Sequence, residues 1–157
     1  FGTGSEGDTY FFKDGKMVTG WVEQDGTWYY MDEETGVMNT EDWVQVNGTW
    51  YNFGEDGKMA TGWQQVDGVW YYMQDWGGMT TGWQQVNGSW YYMYSWGGMA
   101  TGWVYDNGTW YYMQSWGGMA TGWQQVGGKW YYLYSNGAMA ANTTIDGYVL
   151  GADGAMK

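Results

Sequence analysis

The sequence predicts an all-β protein, a solenoid of about 20-residue β-hairpin repeats. Three observations predict it. The phrase Thr-Gly-Trp, a short turn, Trp-Tyr-Tyr and Gly-x-Met recurs with leading tryptophans at Trp21, Trp43, Trp63, Trp83, Trp103 and Trp123. A period of roughly 20–50 residues marks stacked structural units. Each copy also places Asp-Gly, Asn-Gly or Gly-Gly between two short runs rich in Trp, Tyr and Val, the signal of a two-residue hairpin. Finally, 22% of the 157 residues are aromatic and 29 are Gly, with no Pro, which is far from the aliphatic composition of an ordinary globular core.

Taken in chain order, residues 1–157 read as one module: a partial repeat at 1–20, about six full repeats from Trp21 to Ala140, and a cap at 141–157. In the partial repeat, Thr9-Tyr10-Phe11-Phe12 mimics Thr-Trp-Tyr-Tyr and lacks a leading tryptophan. The copy from Trp63 shows the hairpin plan. With Asp67-Gly68 as a type I′ turn, Val66 faces Val69, Gln65 faces Trp70, Gln64 faces Tyr71 and Trp63 faces Tyr72. The two-residue period of a strand then puts Trp63, Gln65, Trp70 and Tyr72 on one face, and Gln64, Val66, Val69, Tyr71 and Met73 on the other. Stability is expected from aromatic stacking between repeats, because an isolated hairpin is marginal in water. The cap, Ile145-Asp146-Gly147-Tyr148-Val149-Leu150, keeps the turn and loses the aromatic triplet.

Composition narrows the function. A net charge of −12, from five Lys against 17 acids, argues against nucleic-acid binding, which needs a basic surface. Without His or Cys, a zinc or thiolate site is not expected and no Ser-His-Asp or Cys-His set can be assembled. No stretch reaches the roughly 18 apolar residues of a membrane helix. The acid pairs Glu33-Glu34, Glu41-Asp42 and Glu55-Asp56 read as a solvated loop surface, since exposed neighbours lack the apolar pocket that separates the pKa values of a glycosidase pair. Asn-Gly-Ser/Thr sequences match a glycosylation pattern, but they coincide with the required turns. Trp76, Trp96 and Trp116 lie in the connectors, where packing on a neighbouring connector is favoured over a second ligand surface.

Aromatic rings converging beside a methionine suit a soft cation such as a quaternary ammonium. That group donates no strong hydrogen bond, so ring quadrupoles and dispersion must hold it, at roughly 0.5–2 kcal/mol per ring. Three rings correspond to about millimolar binding. From pattern alone the same rings also read as the solenoid core, and the face alternation separates the two roles.

Thr-Gly-Trp…Asn-Gly-Ser/Thr-Trp-Tyr-Tyr…Gly-x-Met-Ala, repeated from about residue 9 to 141, resembles the choline-binding repeats of pneumococcal and related surface proteins and of phage lysins. The closing Ala141-Asn142-Thr143-Thr144-Ile145-Asp146-Gly147-Tyr148 resembles the tail of such regions. The resemblance implies a left-handed superhelix of stacked hairpins. It also implies intersite cages built from the leading Trp, the hairpin Trp, the following Met and the second Tyr of the next Trp-Tyr-Tyr. Carried onto this chain, that gives Trp43, Trp50, Met59 and Tyr72; Trp63, Trp70, Met79 and Tyr92; Trp83, Trp90, Met99 and Tyr112; and Trp103, Trp110, Met119 and Tyr132. Two terminal cages are expected to be incomplete. Trp21, Trp28 and Met38 meet Asn52, and Trp123, Trp130 and Met139 meet Leu150. Phe12 is placed in the closing-aromatic slot of a cage upstream.

The resulting expectation is a non-catalytic, secreted module that binds choline as its ligand, with no cofactor or metal, and anchors a protein to phosphocholine-bearing teichoic and lipoteichoic acids of a bacterial cell wall. Nucleic acid and membrane insertion are not expected, and a homodimer through a terminal repeat stays open. The alternative within the binding class is an array for glucan or another cell-surface carbohydrate, and a plain structural spacer is the alternative outside it.

Overall fold

The computed structural model describes residues 1–157, all β with no helix, and it divides into two compact units, Phe1–Thr80 and Thr81–Lys157. Two-stranded antiparallel hairpins make up both units, preceded in the first by a three-stranded sheet. In the first, Gly20–Gln24 pairs with Thr27–Met31, Trp43–Val46 with Thr49–Asn52, and Gly62–Val66 with Val69–Met73. The second holds Gly82–Val86 with Ser89–Met93, Gly102–Asp106 with Thr109–Met113, Gly122–Val126 with Lys129–Leu133, and Thr143–Ile145 with Tyr148–Leu150. The expected register is found: Val66 lies opposite Val69, Gln65 opposite Trp70, Gln64 opposite Tyr71 and Trp63 opposite Tyr72.

The turns explain that agreement. Asp67 and Gly68 have φ of 51° and 80°, and Asn87 and Gly88 have 50° and 84°. Positive φ at both central residues is the type I′ requirement, and its twist matches that of the flanking strands. With register pinned at the turn, the period of two assigns every side chain to a face.

Each connector then folds back over its own hairpin. Met79 forms a β-bridge with Met73, and its N–H donates not to that hairpin but to the Trp50 carbonyl of the preceding one, at 2.9 Å. The same link recurs from Met59 to Trp28, Met119 to Trp90, Met139 to Trp110 and Met156 to Trp130. One methionine per repeat thus ties two hairpins together.

The innermost layer differs from the aromatic one expected. Met31, Phe53, Met73, Met93, Met113, Leu133 and Leu150, the residues that end or directly follow each hairpin, are the large side chains with under 2% exposure. Only one of the seven is aromatic. The hairpin tryptophans are instead about two-fifths exposed, for example Trp90 at 41%. Flexible methionine fills the narrow space between hairpins, and the rings lie outside it.

Both ends also depart from expectation. The first three strands, Gly2–Thr3, Thr9–Lys13 and Lys16–Val18, form one sheet in which Gly2 lies opposite Tyr10 and Phe12 opposite Met17. The Thr9–Phe12 run is therefore shifted by one residue from the register that its likeness to Thr-Trp-Tyr-Tyr suggests. Thr9, not Tyr10, receives the Met38 N–H at 2.7 Å, where other copies have a tryptophan. Phe1 stands where a leading tryptophan would, with its ring 5.2 Å from Phe11 and 4.9 Å from Tyr29. Phe12 is half-exposed and opposite Met17 rather than in an aromatic cage. At the other end, Thr143–Leu150 is a full hairpin with its own Leu150–Met156 bridge.

Candidate functional site

In three of the hairpins the leading and hairpin tryptophans meet edge to face on one side of the strand pair. Trp21 and Trp28 have centroids 6.2 Å apart at 82°, and Trp103 and Trp110 are 6.4 Å apart at 90°. Two perpendicular indoles form a corner. In the first unit Tyr51 closes the Trp21 corner at 4.7 Å and Tyr71 closes the Trp43 corner at 4.8 Å. In the second, Tyr111 meets Trp83 at 4.8 Å, Tyr131 meets Trp103 at 4.9 Å and Tyr148 meets Trp123 at 5.7 Å. Open cavities of about 220, 310 and 400 Å³ are lined by Trp21, Trp28, Tyr51 and Met59; by Trp103, Trp110, Tyr131 and Met139; and by Trp123, Trp130, Tyr148 and Met156.

The tyrosine and the methionine in these cages are not the expected ones. Tyr72, Tyr92, Tyr112 and Tyr132 each face their own leading tryptophan across the hairpin, at about 5 Å, behind Trp63, Trp83, Trp103 and Trp123 respectively. Alternation is the reason. The second Tyr shares the tryptophan face of its own hairpin, whereas the first Tyr, one residue earlier, points to the opposite face and toward the preceding hairpin. Met99, expected beside Trp83 and Trp90, gives way to Met119, whose N–H reaches the Trp90 carbonyl. Met119, expected beside Trp103 and Trp110, likewise gives way to Met139. The connector carries each methionine back one hairpin, so the cage methionine follows the next hairpin rather than its own.

The same rule fills both terminal cages. Met59 and Tyr51 complete the Trp21 and Trp28 corner in place of Met38 and Asn52. Asn52 is buried, and its amide donates to the Asp42 carbonyl at 2.7 Å. Met156 and Tyr148 complete the Trp123 and Trp130 corner in place of Met139 and Leu150, and Leu150 is core. Met79 belongs with Trp43, Trp50 and Tyr71, not with Trp63 and Trp70, which form the same perpendicular corner at 6.3 Å. Five cages thus lie wholly within one unit or the other. Thr9 in place of a hairpin tryptophan leaves Phe1, Tyr29 and Met38 as a degenerate version.

Three features were not read from the sequence. Trp76 lines the Trp21 cage, edge-on to Tyr51 at 6.2 Å, and its ring lies over Gly78, where a Cβ would collide with it. Gly77, with φ of 97°, likewise leaves room for Met59. Trp116 meets Tyr91 edge-on, and Trp96 stacks on Tyr94. The second feature is a pair of indole bonds: Trp83 Nε1 donates to Asp106 at 3.0 Å and Trp123 Nε1 to Asp146 at 3.1 Å. Asp106 was visible as an acid where most other copies have Val. The third is Asp153, which lines the Trp103 cage.

Burial pushes the Tyr30 phenol up, with the Glu33 carboxylate adding to it, so Tyr30 stays a neutral support behind Trp21. Donation from Thr35 and Glu34 holds the Asp32 carboxyl below its ordinary value. No three acids cluster as a metal site would require, and no helix is long and apolar enough to cross a membrane.

Residues 5–43, 40–79 and 80–120 match the family model of the choline-binding repeat, and residues 121–139 match that of a cell wall binding repeat. The chain belongs to the choline-binding repeat family. Among solved structures it is similar to CbpJ of Streptococcus pneumoniae, with 48% identity, a TM-score of 0.87 and coverage of 91% of this chain and 49% of that one. Choline-binding protein F of the same organism, solved in the presence of a peptidoglycan analogue, shares 45% identity with a TM-score of 0.89 over 99% of this chain and 58% of its own. The modular autolysin LytC, also from Streptococcus pneumoniae, shares 30% identity with a TM-score of 0.68, covering 92% and 39%. The chain thus spans about half the length of the first two structures. Comparison with curated proteins finds no match.

Proposed function

We propose that this choline-binding repeat chain is a non-catalytic module that anchors a protein to phosphocholine-bearing teichoic and lipoteichoic acids at the bacterial cell surface. The observation that carries the reading is the cage of two indoles, one phenol ring and one methionine on a half-exposed face, lined by Trp21, Trp28, Tyr51 and Met59, by Trp103, Trp110, Tyr131 and Met139, and by Trp123, Trp130, Tyr148 and Met156, with the same leading-Trp to next-Tyr contact at Trp43 and Trp83. Such a cage holds a cation that offers no N–H, at roughly 0.5–2 kcal/mol per ring. Single cages are weak. Several on one chain engaging several cholines of one polymer gain about 10²–10⁴ in avidity. The acidic surface attracts the ammonium and repels the accompanying phosphate.

Retention of the chain on a quaternary-amine resin, with elution by free choline, is the test. Passage through that resin with retention on dextran would instead favour a carbohydrate array. One observation supports that second reading: the connector rings Trp76, Trp96 and Trp116 are more than half exposed, at 58%, 57% and 55%, and flat exposed rings stack on sugars.

A further inference from the structure

The cages share four walls but differ in a fifth. In the first unit the Trp21 cage is closed by the Trp76 ring and encloses about 220 Å³. In the second unit the Trp103 cage has Asp153 at its rim and encloses about 310 Å³. Trp76 and Asp153 occupy the same place in their connectors, just before the glycine that makes room for a cage methionine: Gly77 for Met59 and Gly154 for Met139.

We propose, resting on the choline reading above, that this connector residue sets which ammonium each cage accepts. Asp153 opens the Trp103 cage to protonated amines that carry N–H groups, and Trp76 restricts the Trp21 cage to quaternary ammonium. The chemistry separates the two. A trimethylammonium offers a carboxylate only its diffuse charge, whereas a protonated dimethylamine also donates a charge-assisted hydrogen bond. An indole in the same place accepts no such bond, and it favours the larger, more polarisable, more weakly hydrated cation.

Asp153 is held for that role. One of its oxygens receives the Ala155 N–H at 3.0 Å, which fixes the carboxylate in the turn. Lys129 and Lys157 line an adjoining groove with Asp153 but form no ion pair with it. Asp106 and Asp146 act differently, because each bonds an indole N–H and so positions a wall.

The test uses the full chain with the indole N–H signals of Trp110 and Trp28 as reporters, assigned by Trp→Phe variants. Choline and protonated dimethylaminoethanol are titrated into wild type, Asp153→Asn and Trp76→Ala. Asn fits this turn, since Asn136 makes the same bond to the Ala138 N–H at 3.0 Å. At Trp110, Asp153→Asn should weaken dimethylaminoethanol by about fivefold and choline by less than about twofold, the size expected of an exposed charge-assisted contact. At Trp28, wild type should prefer choline, and Trp76→Ala should reduce that preference. Equal losses for both amines at Trp110, or the same preference at Trp28 and Trp110 in wild type, would overturn the proposal. If choline moves no indole signal while dimethylaminoethanol still moves Trp110, the choline reading falls and the role of Asp153 stands. If neither amine moves any signal, both fall.

Discussion

The two units build the same cage on opposite electrostatic plans. Phe1–Thr80 holds 14 of the 17 acids and three of the five lysines, a net −11, whereas Thr81–Lys157 holds three acids and two lysines, a net −1. In the first unit Asp32 caps the 32–37 turn, Asp56 pairs loosely with Lys58 at 3.7 Å, and Glu33 reaches a cage only through Tyr30, the ring behind Trp21. In the second unit all three acids touch a cage, Asp106 through the Trp83 indole, Asp146 through the Trp123 indole and Asp153 at the Trp103 rim. Charge count therefore says little about ligand binding. Placement decides, because fourteen exposed acids make a diffuse, salt-screened field while three seated ones act on particular rings.

The largest expected effect tests whether the units share a common inner layer. Met31 and Met113 are both fully buried at hairpin ends. Replacing either with Ala should cost about 2–5 kcal/mol, the usual range for a core Met, read from denaturant unfolding. Since repeats are stabilised by their neighbours, Met31→Ala should destabilise the first unit and Met113→Ala the second. A cost below about 1 kcal/mol in both would mean the rings, not the methionines, hold the hairpins together.

A smaller effect isolates the seated acids. Asp106→Asn keeps an acceptor but removes the charge beside Trp83, and should weaken choline at the Trp83 cage by roughly two- to fivefold, a surface-charge magnitude. The Trp83 indole N–H signal reports the loss. Neutralising Glu41, an exposed acid of the first unit, should leave every cage unchanged. Equal effects of the two substitutions would reduce the second unit's plan to net charge alone.

The smallest effect lies in the first unit. The Asp32 carboxyl titrates below its unfolded value, so its contribution is complete above the unfolded pKa and is lost as pH falls through the folded one. Protection of the Thr35 and Glu34 backbone amides from exchange, taken relative to the intrinsic rate at each pH, should fall across that acid window in wild type and stay flat in Asp32→Asn. The carboxyl is fully exposed, so global stability should barely move.

Most of the fold was legible because its determinants are local. Asp-Gly and Asn-Gly demand type I′ turns, the turn pins the register, and the register assigns the faces, as the Val66–Val69 and Trp63–Tyr72 pairings show. The tryptophan corners followed from the same logic. What was not legible depends on which hairpin a face meets. Nothing within one repeat says that the first Tyr points backward onto the preceding corner, or that the connector hands its methionine to the hairpin before. Those facts moved the closing residues from Tyr132 to Tyr131 and from Met119 to Met139, and they turned the seemingly broken terminal cages into complete ones. The N-terminal register failed for a related reason: Phe1 substitutes for a tryptophan across a longer loop, which no repeat spacing reveals.

Calorimetric titration of the full chain with free choline, beside Trp90→Ala, tests the central claim most directly. Trp90 is 41% exposed, and its carbonyl, not its ring, holds Met119. The cages predict heat in about the millimolar range, and a binding count lower by one in Trp90→Ala with its β-sheet signature intact. No heat from wild type, or collapse of the fold in Trp90→Ala, would contradict the reading of these tryptophans as ligand walls.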